Sequence, residues 1–272
     1  MLGSRLRTGA IALLFGAAGL LLMPGGAGAE ARRTTARAPG QTSIPSTPAA
    51  ATTTVPQDPY LAPDGTGYVH NDSYQSDTYT WSGPPAGSTR VRARSLGGQC
   101  APAAVDSAGR LVTACQQSSG IQLLLINPTT LKTLASFGLP ATDILRFGYF
   151  FLDNQDRVVI PTPTGQIWTI AETSNGGVPG FSLVGSVDLS SHLADSTDWI
   201  FSVLPDWSGR QWFQSHEGVV GWVDPTSGAV STLSLGEQIT NSAAIDETGG
   251  VFVVTDHALY RIDPDPSSGA PV

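Results

Sequence analysis

A short turn motif, Asp-x-x-Gly or a close variant, recurs along the chain, and each copy is followed by residues that favour strands. The intervals between successive copies are 47, 53 and 40 residues. Units of this size cannot bury their apolar faces alone, so a chain built from them must stack like units against one another. The copies begin at Asp106, Asp153, Asp206 and Asp246.

Four short strands can be placed in most of these units, which is the pattern of a β-propeller blade. A second turn signal closes the third strand of each unit, for example at residues 170–172 in the second unit. Runs such as 123–126 are apolar on both faces, as expected where blades stack on both sides. We predict an all-β fold over residues 91–272, a β-propeller of about four blades of four antiparallel strands.

The fourth unit offers only three strands, and one spare strand is predicted before the first unit, at residues 91–96. Two arrangements follow from this count. The spare strand could complete the last blade and close a ring of four, or the units could belong to a larger ring. We expect the larger ring, because rings of four are uncommon.

The amino-terminal region has a different character from the repeats. Residues 1–29 read as a secretory signal, since Arg5 and Arg7 precede a short apolar run and Ala-Gly-Ala ends at Ala29. The alternative is an uncleaved anchor; after cleavage we expect no stable membrane span. Residues 30–57, rich in Thr, Pro and Ala, are predicted to be a disordered linker. The protein is therefore expected to be secreted or associated with the cell envelope.

Charge and composition exclude several classes of protein. Residues 58–272 hold nine basic and 21 acidic side chains, a net charge of −12 against −8 for the whole chain. Such a body repels phosphate backbones, so nucleic acid is not an expected partner. With 13% charged residues, 31 Gly and 20 Pro, the chain does not have the composition of a coiled coil or helical bundle.

The chain has two cysteines, Cys100 and Cys115, on either side of the first Asp turn. If the turn is centred between Ser107 and Ala108, the two cysteines lie opposite each other on antiparallel strands. Opposed residues have Cα separations within reach of a disulfide, and an exported protein can keep one. We favour a disulfide; free buried thiols and a redox or metal pair are the alternatives.

The segment GVVGWVDPTSGAV at 218–230 resembles the repeat of streptogramin-lyase and YVTN propellers, and its Asp-Pro-x-x-Gly turn is similar to those of quinoprotein-dehydrogenase-like propellers. The order of segments in this chain is similar to that of secreted propeller proteins of high-GC bacteria, in which a secretion signal is followed by an aromatic stretch and then by blades. This resemblance covers roughly residues 60–272 and implies longer relatives. It does not extend to a quinone cofactor, because Asp106 and Gly109 are separated by two residues instead of three and no Trp follows in that strand.

The same resemblance suggests where chemistry could reside. A streptogramin-type lyase would use a His base and a divalent cation held by carboxylates, here Ca²⁺ or Mg²⁺. The best local match is His216 beside Glu217, although adjacent strand residues point to opposite faces and a tight turn is the simpler interpretation. The repeated Asp residues are expected to cap their own turns and not to bind metal.

Residues 58–90 lie outside the blade pattern and are predicted to form an aromatic and polar arm or cap. Within it, His70, Asp72 and Asp77 are candidate ligand contacts, in what could be a carbohydrate platform or an arm packed on the propeller side. No cofactor-binding or catalytic motif is identified. The sequence favours a secreted binding module for a small molecule, glycan or envelope protein. The alternative is a metal-dependent lyase or hydrolase with a site on the ring axis.

Overall fold

The described residues form four antiparallel sheets, each built from consecutive strands, in a computed structural model that covers residues 57–63, 67–68, 92–139, 149–265 and 267–272. We refer to the sheets as blades 1 to 4. Blades 1 to 3 have four strands and blade 4 has three. The strands are β1 Ala104–Val105, β2 Leu111–Gln117, β3 Gly120–Ile126 and β4 Thr133–Gly138; β5 Phe151–Leu152, β6 Val158–Pro161, β7 Gln166–Asn175 and β8 Val178–Asp188; β9 Ile200–Pro205, β10 Gln211–Ser215, β11 Val219–Val223 and β12 Val230–Ser234; and β13 Ala244–Ile245, β14 Val251–Val254 and β15 Leu259–Ile262.

This architecture confirms the predicted all-β propeller fold. Each blade begins with a short inner strand, turns at its Asp motif and continues outward through meandering antiparallel pairs. The one helix among the described residues is a single 3-10 turn at Ser190–His192, in the connection from blade 2 to blade 3.

The turn predicted at residues 170–172 is wrong. These residues lie inside β7, which pairs with β8 in the longest hairpin of the described chain. The chain reverses instead at Gly176 and Gly177, whose φ values of 59° and 84° are those a tight hairpin turn requires. Ile170 is buried in the blade and favours continuing the strand.

The strand predicted at residues 91–96 is not found over 92–96, the part that the structure describes. Arg94 donates a hydrogen bond from Nη1 to the carbonyl oxygen of Leu131 at 2.5 Å, in the β3–β4 connection. Leu96 packs against Leu124 and Ile126 on one face of blade 1. The segment therefore covers the first blade and does not complete the fourth.

The core lies between successive blades. Apolar side chains of blades 1 and 2 form one cluster, which includes Leu123 and Leu125 of β3 and Ile160 of β6. A larger cluster joins blades 2, 3 and 4 around Ile200 and Val253. The apolar character of both faces of β3 is thus explained, since one face meets blade 2 and the other meets Leu96.

The described part of the amino-terminal arm pairs with the inner edge of blade 2. Leu61 forms an antiparallel bridge with Asp153, and Tyr68 forms one with Phe151 of β5. Tyr68 is fully buried, and its hydroxyl lies against Ser202 of blade 3 and Ser242 at the start of blade 4. Burial raises the pKa of this phenol well above its usual range. The arm thus connects three blades along their inner edges.

Candidate functional site

The four Asp turns share one geometry, and the prediction that these residues cap their own turns is confirmed. In each turn the carboxylate Oδ1 accepts a hydrogen bond from the backbone N–H four residues later, for instance Arg210 N to Asp206 at 3.0 Å. In blades 1 to 3 an Arg at that position also donates from Nε to Oδ2 of the same Asp, at 2.6 to 2.9 Å. The buried carboxylates are therefore paired within the turn.

A cluster of charged side chains joins blades 1 and 2 near their Asp turns. Arg110 contacts both Asp106 of its own turn and Glu172 of β7, and Asp156 accepts the backbone N–H of Ser107 at 2.9 Å. The Glu172 side chain is 12% exposed, and its Oε1 has no partner among the described residues. Burial raises the pKa of Glu172 to about 7, against the lowering effect of Arg110.

The predicted disulfide between Cys100 and Cys115 is confirmed, with a Cα–Cα distance of 4.0 Å. The turn centre used to predict it is wrong by half a residue, because the β1–β2 pairing places Ala104 opposite Val112. Cys100 nevertheless faces Cys115, since the pairing shifts by one residue between Ala104 and Cys100, where the chain contains Pro102.

His216, Glu217 and Gly218 form the three-residue turn between β10 and β11, as the simpler interpretation predicted. The expectation that their side chains point apart is wrong, because they lie in a turn and not on a strand. His216 Nδ1 and Glu217 Oε1 are 2.9 Å apart. The imidazole also stacks on the Trp199 ring at a centroid distance of 5.4 Å and an interplanar angle of 16°.

The buried carboxylate of Asp198 holds the turn that contains His216 and Glu217 in place. Asp198, 3% exposed, accepts hydrogen bonds from the backbone N–H groups of Ala194, Trp199 and Glu217 at 2.8 to 3.0 Å. The connection before β9 and the turn between β10 and β11 are thereby held together by one side chain. The aromatic ring and the turn residues are consequently presented on a rigid support.

Glu217 is the charged group that this cluster presents to solvent. Its carboxylate accepts hydrogen bonds from Gln238 Nε2 at 3.2 Å, in addition to the contact with His216. These hydrogen bonds lower the pKa of Glu217. We call Trp199, His216, Glu217 and Gln238 the turn cluster. The side chains of His216 and Glu217 are 34% and 36% exposed.

The sequence analysis missed Trp199 and Gln238 as members of this cluster, because they come from other connections of the chain. The pairing of β9 with β10 brings Trp199 against His216, and Gln238, which follows β12, donates to Glu217. The turn motif alone shows neither contact.

A cavity of about 350 Å³ lies at the other end of blade 3, between the Asp turns of blades 2 and 3. The sequence analysis did not predict it. Its walls come from the amino-terminal arm, both Asp turns and the β11–β12 turn. They include Tyr60, Asp153, Arg157, Arg210, Gln211 and Asp224.

His70, Asp72 and Asp77 lie outside the described residues. Within the part of the chain that the structure describes, no group of three or more His, Cys, Asp or Glu side chains converges in a way that could hold a metal ion. That part also contains no helix long and apolar enough to cross a bilayer.

Comparison with known proteins yields distant likenesses. No family model matches the chain. An uncharacterized protein of Archaeoglobus fulgidus is 34% identical over 100 residues, which are 35% of this chain and 19% of that protein. The chain thus spans about a fifth of that relative's length.

Among solved structures, a protein of unknown function from Bacteroides caccae is 15% identical, with a TM-score of 0.44 over 66% of this chain and 68% of that one. The β-propeller domain of Cps50 (Swd1) from Myceliophteria thermophila is 14% identical, with a TM-score of 0.42 over 60% of this chain and 51% of that one. A protein from Lactobacillus plantarum is 12% identical, with a TM-score of 0.44 over 62% of this chain and 52% of that one.

Proposed function

We propose that this chain is a secreted or envelope-associated β-propeller binding module, and that the turn cluster contacts its partner. The observation that carries the proposal is the support of the cluster by Asp198. A buried carboxylate that joins two backbone connections under partly exposed polar and aromatic side chains is the arrangement of a preorganised binding surface. The predicted amino-terminal signal and the Cys100–Cys115 disulfide support the extracellular setting.

The chemistry of the cluster favours a partner rich in hydrogen-bonding groups. Glu217 presents an ionised acceptor, Gln238 an amide, and His216 an imidazole backed by the Trp199 ring. The acidic body disfavours strongly anionic partners. Envelope glycans and envelope proteins both offer suitable hydroxyl and amide groups.

The test measures binding of the full mature chain to washed envelopes of the organism that produces it, by co-sedimentation. We expect Glu217→Gln and His216→Ala to weaken binding roughly tenfold, since a hydrogen bond to a charged group contributes about 1.5 kcal/mol or more. His192→Ala is the matched control, because His192 lies in the 3-10 turn, exposed and outside the cluster. Periodate treatment or protease treatment of the envelopes then distinguishes a glycan from a protein partner.

Two results would overturn the proposal. One is equal binding by the three variants and the parent chain. The other is stoichiometric Ca²⁺ or Mg²⁺ in the purified protein that disappears in Glu217→Gln, which would favour the metal-dependent enzyme instead.

A further inference from the structure

The first residue of the second strand in each blade occupies an equivalent place, and blade 3 departs from the others there. The residue directly opposite it ends the inner strand, immediately before the capping Asp. In three blades the residue is aliphatic, and in blade 3 it is glutamine. The four residues are Leu111, Val158, Gln211 and Val251.

Gln211 is the polar exception at this position. The residue as a whole is 8% exposed. It lines the 350 Å³ cavity between blades 2 and 3, so a polar side chain replaces an aliphatic one where the blade borders an open space. A ligand in this cavity would find a hydrogen-bonding amide in its wall.

Other polar groups around the cavity also have unused hydrogen-bonding capacity. Arg157 donates from Nε to Asp153 at 2.6 Å, while its two Nη nitrogens have no acceptor among the described residues. Asp224 accepts the backbone N–H groups of Ser227 and Thr226 through Oδ1, and these hydrogen bonds lower the pKa of its carboxyl group. The cavity therefore offers donors on one side and an ionised acceptor on another.

The cavity has an aromatic wall from the amino-terminal arm. Tyr60, 38% exposed, packs over Gly209, where a Cβ atom would lie 2.7 Å from the Tyr60 ring. Gly209 has φ of +87°, so the turn conformation and the ring contact both favour glycine. The absence of a side chain at Gly209 thus leaves room for the Tyr60 ring at the rim of the cavity.

We propose that this cavity is a binding site for a neutral saccharide. The two guanidinium groups of the lining, Arg157 and Arg210, are already paired with Asp153 and Asp206, and the lining also contains the Asp224 carboxylate, so the cavity offers no uncompensated positive charge to an anionic ligand. A neutral ligand with many hydroxyl groups can form hydrogen bonds with the Arg157 guanidinium, the Asp224 carboxylate and the Gln211 amide. The Tyr60 ring suits the C–H face of such a ligand. The volume lies within the range of small-ligand pockets, about 300 to 1,000 Å³.

This site is separate from the turn cluster. Gln211 begins β10 and His216 follows its end, so the two sites lie at opposite ends of one strand. Failure of either proposal leaves the other standing.

The test uses the full chain with D-glucose, D-galactose and N-acetyl-D-glucosamine, and with D-glucuronate as a charged probe, at millimolar concentration. Saturation-transfer NMR detects binding, and titration calorimetry gives the affinity. We expect at least one neutral sugar to bind, more tightly than glucuronate, and Gln211→Leu to weaken it roughly tenfold or more. Gln122→Leu, the same change in β3 of blade 1, should leave the affinity unchanged.

The variant is chosen so that it keeps the fold. Leucine is the residue that blade 1 has at the equivalent position, so Gln211→Leu should melt at or above the temperature of the parent chain. A lower melting temperature together with unchanged sugar affinity would show that Gln211 is structural and overturn the proposal. Tighter binding of glucuronate, or binding of none of the sugars, would overturn it as well.

Discussion

Glu172 makes the stability of the blade 1–blade 2 contact depend on pH. Its pKa of about 7 in the folded chain compares with 4.5 for an unperturbed Glu. Because the folded-state value is the higher one, the protonated group stabilises the fold fully below about pH 4.5, and this contribution is lost as pH rises through 7. The shift corresponds to about 3 kcal/mol at most, at 1.36 kcal/mol for each pKa unit.

The perturbation that isolates this effect is Glu172→Gln, because glutamine has nearly the shape of the protonated acid. We expect the variant and the parent chain to have similar free energies of unfolding near pH 5. At pH 8 the variant should be the more stable by up to about 3 kcal/mol, since it avoids the buried charge. Urea unfolding at several pH values, followed by tryptophan fluorescence, measures the difference.

The comparison at pH 5 is the control, because residue 172 is then uncharged in the folded state of both chains. A difference between Glu172→Gln and the parent chain that is constant from pH 5 to 8 would refute the reasoning. So would a difference that favours the parent chain more strongly as the pH rises, because that would mean that the ion pair with Arg110 outweighs desolvation.

Two further predictions concern the covalent and packing constraints of the fold. The double variant Cys100→Ala/Cys115→Ala should lose about 3 kcal/mol of unfolding free energy, because the disulfide no longer closes its loop in the unfolded chain. The parent chain, unfolded without reductant, should show no free thiol. Two free thiols would contradict the disulfide. Tyr68→Ala should lower the free energy of unfolding by about 3 to 5 kcal/mol because of the cavity it leaves, and Tyr68→Phe should lower it by about 1 kcal/mol. Equal small losses in both variants would show that the arm is not packed between the blades.

The sequence predicted the blades well because their signals are local. An Asp turn, a short apolar strand and a second turn follow one another within each unit, so spacing alone locates them. The same approach failed at residues 170–172, which were interpreted as the end of a strand although β7 continues to Asn175. It also failed at 91–96, because a β-rich run cannot indicate which sheet, if any, it will join.

Features that depend on contacts between units were harder to predict. The pairing of the arm with β5 and the stacking of Trp199 on His216 join residues that no local pattern relates. Gln211 is an intermediate case. Aligning the four Asp turns by hand shows one glutamine among three aliphatic residues, but only the structure shows that its side chain is buried and lines a cavity.

The position of Tyr68 has a consequence for the order in which the chain folds. Synthesis produces Tyr68 well before Ser202 and Ser242, the residues against which its hydroxyl lies. The inner edges of blades 2, 3 and 4 therefore cannot enclose this side chain until the start of the fourth blade has been made. Contacts so distant in sequence form slowly. Early blades can pair their own strands during synthesis, while the core around Tyr68 is completed only when the start of the fourth blade has been made.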